Sequence, residues 1–353
     1  MMQFMDSVDH YNTNAELYVK WTTLGNGTFI TTGRNGQGIA LGQVNKACTL
    51  QSEWIVGWAV NFEASTGFGP IEPHYFLSNV NQTIFVLAID TDGSISLWGG
   101  PGTTTFIASS LTATPPFFLH PNTWYYFEVK IILSNTNNIS VTATLKVNNV
   151  TVAAGTCSTG INGNTFLVPG ATANFHSWVN IDIFGNSVID DINIKDATGA
   201  FNNDFVGDIR IGCLFPRQDV LTQWTGLAPG NQFSQINNVT PLGDSSYVYA
   251  TSNPMSPTTP YDNFNWQPVP PFLGNIIAVQ YLVYARKDDE GTREIQQFCN
   301  VPGSADPGAL SPVWSLSDTY VYYYYDMDVD PETSAPWTQA GFNGKQFGFQ
   351  LIV

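Results

Sequence analysis

Acidic side chains are the first candidates for chemistry in this sequence, because glycoside hydrolysis needs two carboxylates flanking one bond. The eight glutamates form no such pair along a predicted strand, and Glu63, which follows an aromatic strand, is interpreted as a surface residue. No pair of histidines has metal-ligand spacing, and no local motif suggests a Ser-His-Asp triad. The sequence therefore predicts a protein without enzymatic activity. A polysaccharide-degrading domain that uses Asp182 and Asp190 is the alternative.

A second acidic feature could bind a metal ion. Asp326, Asp328 and Asp330 alternate along the chain beside Glu332, and carboxylate oxygens at such spacing are suitable calcium ligands. The segment lacks the glycine and the final glutamate of an EF-hand loop, so a solvated acidic loop is the preferred interpretation and calcium the alternative. No other cofactor is predicted. The four cysteines form no Cys-X-X-Cys pair, which favours buried thiols over a zinc site or a disulfide.

Tryptophans in or beside predicted loops form a third group. Sugar rings stack on aromatic faces, so these side chains could form a glycan-binding platform. Packing in the core or at a subunit interface is the competing interpretation. The candidates are Trp98, Trp178, Trp224 and Trp266.

Charge excludes two classes of partner. The 353 residues carry a formal net charge of -16 with only 12 lysines and arginines. Binding to a nucleic acid requires clustered basic residues, and so does binding to an anionic membrane, so neither partner is predicted. The first residues have no basic region followed by a long apolar one, so no secretion signal is expected.

The elements that would position these residues are strands. Trp54–Phe62 alternates large apolar with smaller residues, and Ile139–Val147 alternates apolar with polar ones. Asp90–Gly93 is a turn between two apolar segments, which predicts a hairpin. Antiparallel strands fit these patterns better than alternating strands and helices. The sequence predicts an all-β protein with a boundary near residues 200–220.

Several segments, in their order along the chain, resemble a group of phage-encoded proteins. The opening Phe4–Tyr11, followed by Lys20-Trp21, is similar to the group's "DSFDHY…KW" start. Similar segments recur through the chain, although residues 225–270 match weakly. They are Trp124–Lys130, Asp190–Ile194, Asn203–Arg210, Ala285–Gly291, Pro331-Glu332-Thr333, Trp337-Thr338 and Phe347–Phe349.

The resemblance implies a fold and a role. It implies a concanavalin A-like or laminin-G-like antiparallel β-sandwich of the jelly-roll type over residues 1–215. A smaller β-rich domain over residues 216–353 would serve assembly. The chain would be a structural component of a phage virion, either a capsid decoration or a tail-associated protein. Its partners would be other virion proteins and further copies of itself in a homo-oligomer. A carbohydrate-binding adhesin that recognises glycans is the alternative function.

Overall fold

The computed structural model describes most of the chain and divides it into two compact units. The described residues are 1–11, 13–21, 23–24, 28–30, 32–40, 44–47, 51–62, 71–77, 83–99, 105–134, 140–158, 174–177, 187–250, 260–270, 274–300 and 311–352. Unit 1 comprises Met1–Val8 and Thr13–Ile211, and unit 2 comprises Asp9–Asn12 and Gly212–Val353. Two of the predicted site residues, Trp178 and Asp182, lie outside the described residues.

Unit 1 is a sandwich of two antiparallel sheets. Sheet A has the order β13-β12-β11-β6-β15-β4-β3, with β1 also paired to β15, and sheet B has the order β10-β9-β8-β7-β14-β5-β2. The strands of sheet A are β1 Met2–Asp6, β3 Thr28–Ile30, β4 Gly38–Ala40, β6 Glu53–Phe62, β11 Trp124–Ser134, β12 Ser140–Val147, β13 Val150–Ser158 and β15 Ser187–Asp196. Those of sheet B are β2 Thr23–Leu24, β5 Val44–Ala47, β7 Ile71–Leu77, β8 Thr83–Ile89, β9 Ile95–Gly99, β10 Thr105–Ser109 and β14 Asn174–Ser177.

The two sheets pack through their apolar faces, as the alternation predicted. On β12, the apolar positions are buried and the polar positions between them are half-buried. The hydrophobic effect fixes the register, because a slip by one residue would turn every apolar side chain outward. Gly99 of sheet B faces sheet A, since a Cβ there would lie 2.7 Å from the Cys157 sulfur. The inner face of each sheet is the one that faces the other sheet, and the outer face is the opposite one.

Helices are few and short in the described parts of both units. Helix α1, Asn14–Lys20, follows the opening strand and was not predicted, because two turns show too little periodicity to be recognised. Two shorter helices, α2 Phe233–Ile236 and α3 Gln339–Asn343, lie in unit 2. None of the described helices has the length and hydropathy needed to span a membrane.

Unit 2 has its own antiparallel sheet, with the order β16-β19-β24-β21-β22, and two smaller two-stranded sheets. The larger sheet consists of β16 Pro216–Thr222, β19 Tyr261–Trp266, β21 Glu294–Asn300, β22 Trp314–Ser315 and β24 Gln346–Ile352. The smaller sheets pair β17 Thr225–Gly226 with β18 Val248–Tyr249, and β20 Val279–Ala285 with β23 Val321–Met327. The predicted fold class, an antiparallel β-sandwich followed by a smaller β-rich domain, is confirmed.

The core of unit 2 explains its run of four tyrosines. Tyr323 packs in a buried cluster with Phe264 and Phe349, whereas Tyr322 lies on the opposite face of β23. Its hydroxyl donates a hydrogen bond to the carbonyl of His10, which belongs to the short N-terminal part of unit 2. Aromatic side chains therefore pack on both faces of this strand.

Gly348 offers a test of packing in unit 2. A Cβ at this position would lie 2.1 Å from the Asp262 carbonyl oxygen and 2.4 Å from the Phe298 ring. Overpacking of this kind costs roughly 1–3 kcal/mol, so we expect Gly348→Ala to lower the free energy of unfolding by about that amount in urea denaturation. Gly274→Ala is the matched control, because nothing lies within 4 Å of its Cβ position. Equal stability of the two variants would contradict this packing.

Candidate functional site

The opening segment is held by a buried carboxylate. The Asp6 side chain accepts hydrogen bonds from the Val8 backbone N–H and the Trp21 indole N–H, each at 2.8 Å. The Lys20 ammonium lies 3.6 Å from the same carboxylate and donates to the Met5 carbonyl at 3.0 Å. These contacts join helix α1 to strand β1. Asp6, Lys20 and Trp21, which all belong to the opening that resembles the phage-encoded group, therefore contact one another in the folded chain.

The outer face of sheet A carries a second buried polar group, and a run of small residues makes room for it. Strand β6 lies between β11 and β15, and Gly57 is paired with Glu128 on one side and with Asn193 on the other. A Cβ on Gly57 would lie 2.5 Å from both the Asn193 amide nitrogen and the Tyr126 hydroxyl. Side chains on β11 and β15 therefore reach each other across β6. The outer-face cluster consists of Arg34, Tyr126, Glu128, Asp190, Asp191, Asn193 and Lys195.

Glu128 and Lys195 form the centre of the outer-face cluster. Their side chains lie 2.7 Å apart and are almost completely buried. The Glu128 carboxylate also accepts hydrogen bonds from the backbone N–H groups of Val206 at 2.8 Å and Gly207 at 3.0 Å. Lys195 donates a further hydrogen bond to the Asp204 carbonyl at 3.1 Å. One buried ion pair thus holds the last part of unit 1, residues 203–211, against the sheet.

Asp191 holds the end of that segment. Its backbone has a positive φ of 50° at a bulge in β15. Its carboxylate accepts a hydrogen bond from the Ile211 backbone N–H at 2.8 Å and lies 3.4 Å from the Arg34 guanidinium. Arg34 also donates two hydrogen bonds to the Asp208 carboxylate, at 2.5 and 2.6 Å. We call residues 203–211 the strap, because charged groups of the sheet bind it at both ends.

The electrostatics of the outer-face cluster follow from its burial. Desolvation raises the pKa of Asp190 from 3.8 to about 7, and the neighbouring Asp191 charge adds to the shift. Hydrogen bonds from the backbone N–H groups of Asp191, Asn35 and Arg34 oppose it. Burial also raises the pKa of Tyr126 well above its ordinary value, so this phenol stays protonated. These groups bind one another and the strap, so the contacts described give them a role in holding the fold.

The structure describes three of the four tryptophans that were predicted to form a glycan-binding platform, and the platform itself stays a prediction. Trp224 packs against Phe349 and donates its indole N–H to the Pro260 carbonyl. Trp266 packs against Tyr281 and Phe347. Both belong to the core of unit 2, whereas Trp98 belongs to unit 1, and Trp178 is outside the described residues. Trp98 contacts Phe106 across two strands of sheet B, at a centroid distance of 5.3 Å.

Two carboxylates of the acidic segment Asp326–Glu332 form ion pairs. The Lys345 ammonium lies 3.0 Å from the Asp330 carboxylate and also contacts Glu332. Asp326 accepts a hydrogen bond from the Gln280 amide at 2.7 Å. Within the described ranges, no group of three or more acidic, histidine or cysteine side chains could hold a metal ion. Calcium binding by Asp326, Asp328 and Asp330 stays a prediction.

The described cysteines differ in burial. Cys157 is buried, and Cys213 and Cys299 are half-buried, while Cys48 lies outside the described residues. Desolvation raises the pKa of Cys299 to about 12, so this thiol stays protonated and weakly reactive at neutral pH.

Sequence reasoning missed two of the residues that matter here, Arg34 and Asp208. Each lies in a polar segment without strand alternation, and their partners are 156 to 174 positions away along the chain. For Glu128 and Lys195, the other residues of this cluster that sequence reasoning did not single out, one signal was available. Only 11% of the residues are charged, and charged residues inside apolar strands of such a chain, such as Glu128 and Lys195, are expected to form buried pairs.

Comparisons with known proteins find similar structures but no similar sequences. No protein-family model and no curated protein sequence matches the chain. Among solved structures, an endo-β-1,4-glucuronan lyase from Trichoderma reesei matches with a TM-score of 0.36 and 9% identity, over 55% of this chain and 95% of that one. A PL-14 alginate lyase from Aplysia kurodai matches with a TM-score of 0.38 and 12% identity, over 55% and 99%. The potassium-bound carbohydrate recognition domain of Emp46p matches with a TM-score of 0.36 and 10% identity, over 54% and 94%.

These neighbours correct one prediction. The sequence predicted a protein without enzymatic activity, and that prediction is wrong in view of the matched structures, most of which are polysaccharide lyases. The sequence lacks a carboxylate pair of the kind that hydrolases use, which argues against hydrolysis of a polysaccharide. It does not argue against other reactions on polysaccharides. At 9–12% identity the likeness describes the fold alone.

The buried ion pair yields a stability prediction. Lys195→Met leaves the Glu128 charge buried without its partner, which costs roughly 3–5 kcal/mol, so urea denaturation should show a loss of that size. Lys130→Met is the matched control, because Lys130 is on the same face of the sheet but pairs with Glu53 and Asp204 at a partly exposed position. An exposed pair contributes about 1 kcal/mol or less. Equal losses would contradict the central role of Lys195.

The pKa of Asp190 yields a pH prediction. Its carboxyl 13C NMR signal should titrate with a midpoint near 7, whereas that of Asp204, whose pKa is lowered by its contacts with Phe205 and Lys130, should titrate below 3.8. Because the folded-state pKa of Asp190 is raised, its contribution to stability is full below about pH 4 and is lost as the pH rises through 7. A midpoint for Asp190 below 4.5 would contradict the burial described.

Proposed function

We propose that this chain is a structural protein of a bacteriophage particle, a capsid decoration or tail-associated surface protein that acts through protein–protein contacts. One observation carries the proposal. The segments that resemble phage-encoded proteins are far apart in the sequence, yet within each unit they supply the contacts that hold the fold together. In unit 1, Glu128 comes from one such segment and binds Val206 and Gly207 of another.

The other segments of unit 1 that resemble the phage-encoded group also contact one another or their immediate neighbours. Asp6 in the opening segment binds Trp21 of the Lys-Trp pair. Asp191 from the segment Asp190–Ile194 binds Ile211, which directly follows the segment Asn203–Arg210, and lies 3.8 Å from Arg210 within that segment. A resemblance that arose by chance would not be expected to select residues that contact one another. These contacts support the family resemblance and, through it, the proposed role.

The tail segments supply contacts within unit 2. The Trp337 indole donates to the Met327 carbonyl at 3.1 Å, and the Thr338 hydroxyl accepts from the Gly341 N–H at the start of α3. Glu332 is one of the two carboxylates bound by Lys345. These contacts hold the tail segments within unit 2, which supports a structural role for that unit as well.

The surface of unit 2 supports assembly. Strand β16 is an edge strand of the larger sheet, with five of its seven residues exposed. Another chain can pair with an exposed edge strand that carries apolar residues. The core of a protein interface contains few charged residues, and this chain has few of them. Seven large apolar side chains are exposed among the described residues of unit 2. They are Val220, Leu221, Leu227, Val239, Leu242, Tyr249 and Val313.

Particle incorporation tests the proposal. Particles from the source of this sequence, purified on a density gradient, should contain the chain in many copies, and immunogold labelling should mark heads or tails. The variant Val220→Glu/Leu221→Glu should be depleted from particles. Val150→Glu, which changes an even more exposed apolar residue of the sandwich, should be incorporated normally. A chain that stays in the lysate while particles are unlabelled would contradict the proposal.

A further inference from the structure

Lys345 of unit 2 lies beside two carboxylates that differ in their exposure to water. Its ammonium nitrogen is 3.0 Å from the Asp330 carboxylate and also contacts the Glu332 carboxylate. The side chains of Lys345 and Asp330 are only 4% and 6% exposed, whereas that of Glu332 is 54% exposed. A buried amine and a buried carboxylate are thus held together, and a second carboxylate that contacts the amine is open to water.

Backbone hydrogen bonds position both members of the buried pair. Asp330 begins a tight turn, in which its N–H donates to the Ala335 carbonyl at 2.9 Å and its carbonyl accepts from the Ser334 N–H at 2.8 Å. The Lys345 N–H donates to the Phe342 carbonyl at 3.0 Å, directly after helix α3. The amine and the carboxylate are therefore held in one orientation by the fold around them.

Orientation and burial both favour a covalent bond between these two groups. Reacting groups held about 3–3.5 Å apart are close to the geometry of attack, and good orientation gives effective molarities of about 10⁵–10⁸ M. In the sequence, Lys345 lies between Phe342 and Phe347, which belong to a buried aromatic cluster with Trp337. Burial keeps away the water that would hydrolyse an amide. Lys345 and Asp330 therefore meet the geometric requirements for condensation.

We propose that the side chains of Lys345 and Asp330 form an amide cross-link, with Glu332 as the proton carrier. Glu332 takes one proton from the Lys345 ammonium, and the neutral Nζ attacks the Asp330 Cγ. The Nζ–Cγ bond forms, the Cγ–Oδ2 bond breaks, and two of the protons that were on Nζ leave with Oδ2 as water. Glu332 returns its proton in this step and ends unchanged, so the reaction requires no oxidant, reductant or further reactant.

Two features of the site define what Glu332 does. Its backbone N–H donates to Asp330 Oδ1 at 3.0 Å, and such a donor stabilises the negative charge that develops on an oxygen during acyl transfer. Burial lowers the pKa of Lys345, but its hydrogen bonds to Glu332 and Asp330 outweigh burial and raise that pKa. The amine therefore starts as an ammonium ion, and its proton has to be removed within the site by the neighbouring carboxylate.

The other two buried lysine–carboxylate pairs described are less suited to this reaction. Both oxygens of Glu128 accept hydrogen bonds from N–H groups of the strap, and condensation with Lys195 would remove one of these oxygens. Lys20 lies 3.6 Å from Asp6, whose two oxygens are also hydrogen-bonded. At Asp330, the described backbone hydrogen bond goes to Oδ1, so it survives the departure of Oδ2.

The cross-link has a structural consequence at the end of the chain. It closes residues 330–345 into a covalent loop, directly before the terminal strand β24. Such a loop restricts the unfolded chain and persists in denaturant, where an ion pair is lost. The inference is independent of a particle role, because it concerns a bond within the isolated chain.

Mass spectrometry of the purified full chain tests the cross-link. The intact mass should be lower than that of the sequence by one water molecule. Chymotrypsin, which cleaves after aromatic residues such as Trp337 and Phe342, should release a branched peptide in which Lys345 is joined to Asp330. This peptide comes from the unaltered chain, so the result does not depend on the folding of any variant.

Variants of unit 2 assign the roles of the individual side chains. Lys345→Arg keeps the positive charge but has no primary amine, so it should show the full mass, and so should Glu332→Gln. Lys287→Arg and Glu290→Gln are matched controls in the same unit and should keep the mass deficit. A native chain with the full mass of its sequence overturns the proposal, as does a deficit that persists in Lys345→Arg. A deficit that persists in Glu332→Gln overturns the role of Glu332.

Discussion

The buried ion pair between Glu128 and Lys195 is the interaction on which unit 1 depends. A carboxylate and an ammonium group removed from water are costly unless each has full compensation. Here three further hydrogen bonds compensate the pair, because the Val206 and Gly207 N–H groups donate to Glu128 and the Asp204 carbonyl accepts from Lys195. The strap is therefore required by the charges beneath it, and the charges are tolerated because the strap covers them. Gly57 makes this arrangement sterically possible.

The same constraint explains how the sandwich divides its two faces. Strand β6 places large side chains, including Trp58, toward sheet B and places Gly57 and Ala59 on the outer face. The inner face is thus stabilised by apolar packing, and the outer face by ion pairs and hydrogen bonds that bring a distant segment of the chain onto the sheet.

Much of the fold was predictable from the sequence because the signals were local. The alternation of Ser140–Val147 and the turn at Asp90–Gly93 set strands and a hairpin that the structure contains. The strap was recognised only through the resemblance of Asn203–Arg210 to the phage-encoded group and through the boundary predicted near residues 200–220. Its partner Glu128 is 78 and 79 positions away from Val206 and Gly207, and no local pattern encodes such a contact. Trp224 and Trp266 were offered as ligand platforms, yet both pack in a core, because sequence does not show which face of a loop-proximal aromatic is covered.

The central claim is that buried charges hold the strap on sheet A, and hydrogen exchange tests it most directly. Amide exchange measured by NMR at several urea concentrations should show Val206 and Gly207 protected to nearly the same free energy as the core amides of β11, such as Val129. In Glu128→Gln, which keeps the shape but removes the charge, protection of those two amides should fall by at least tenfold relative to β11. If Val206 and Gly207 exchange in the native protein as fast as exposed loop amides such as Gly230, the strap is not held and the account is contradicted.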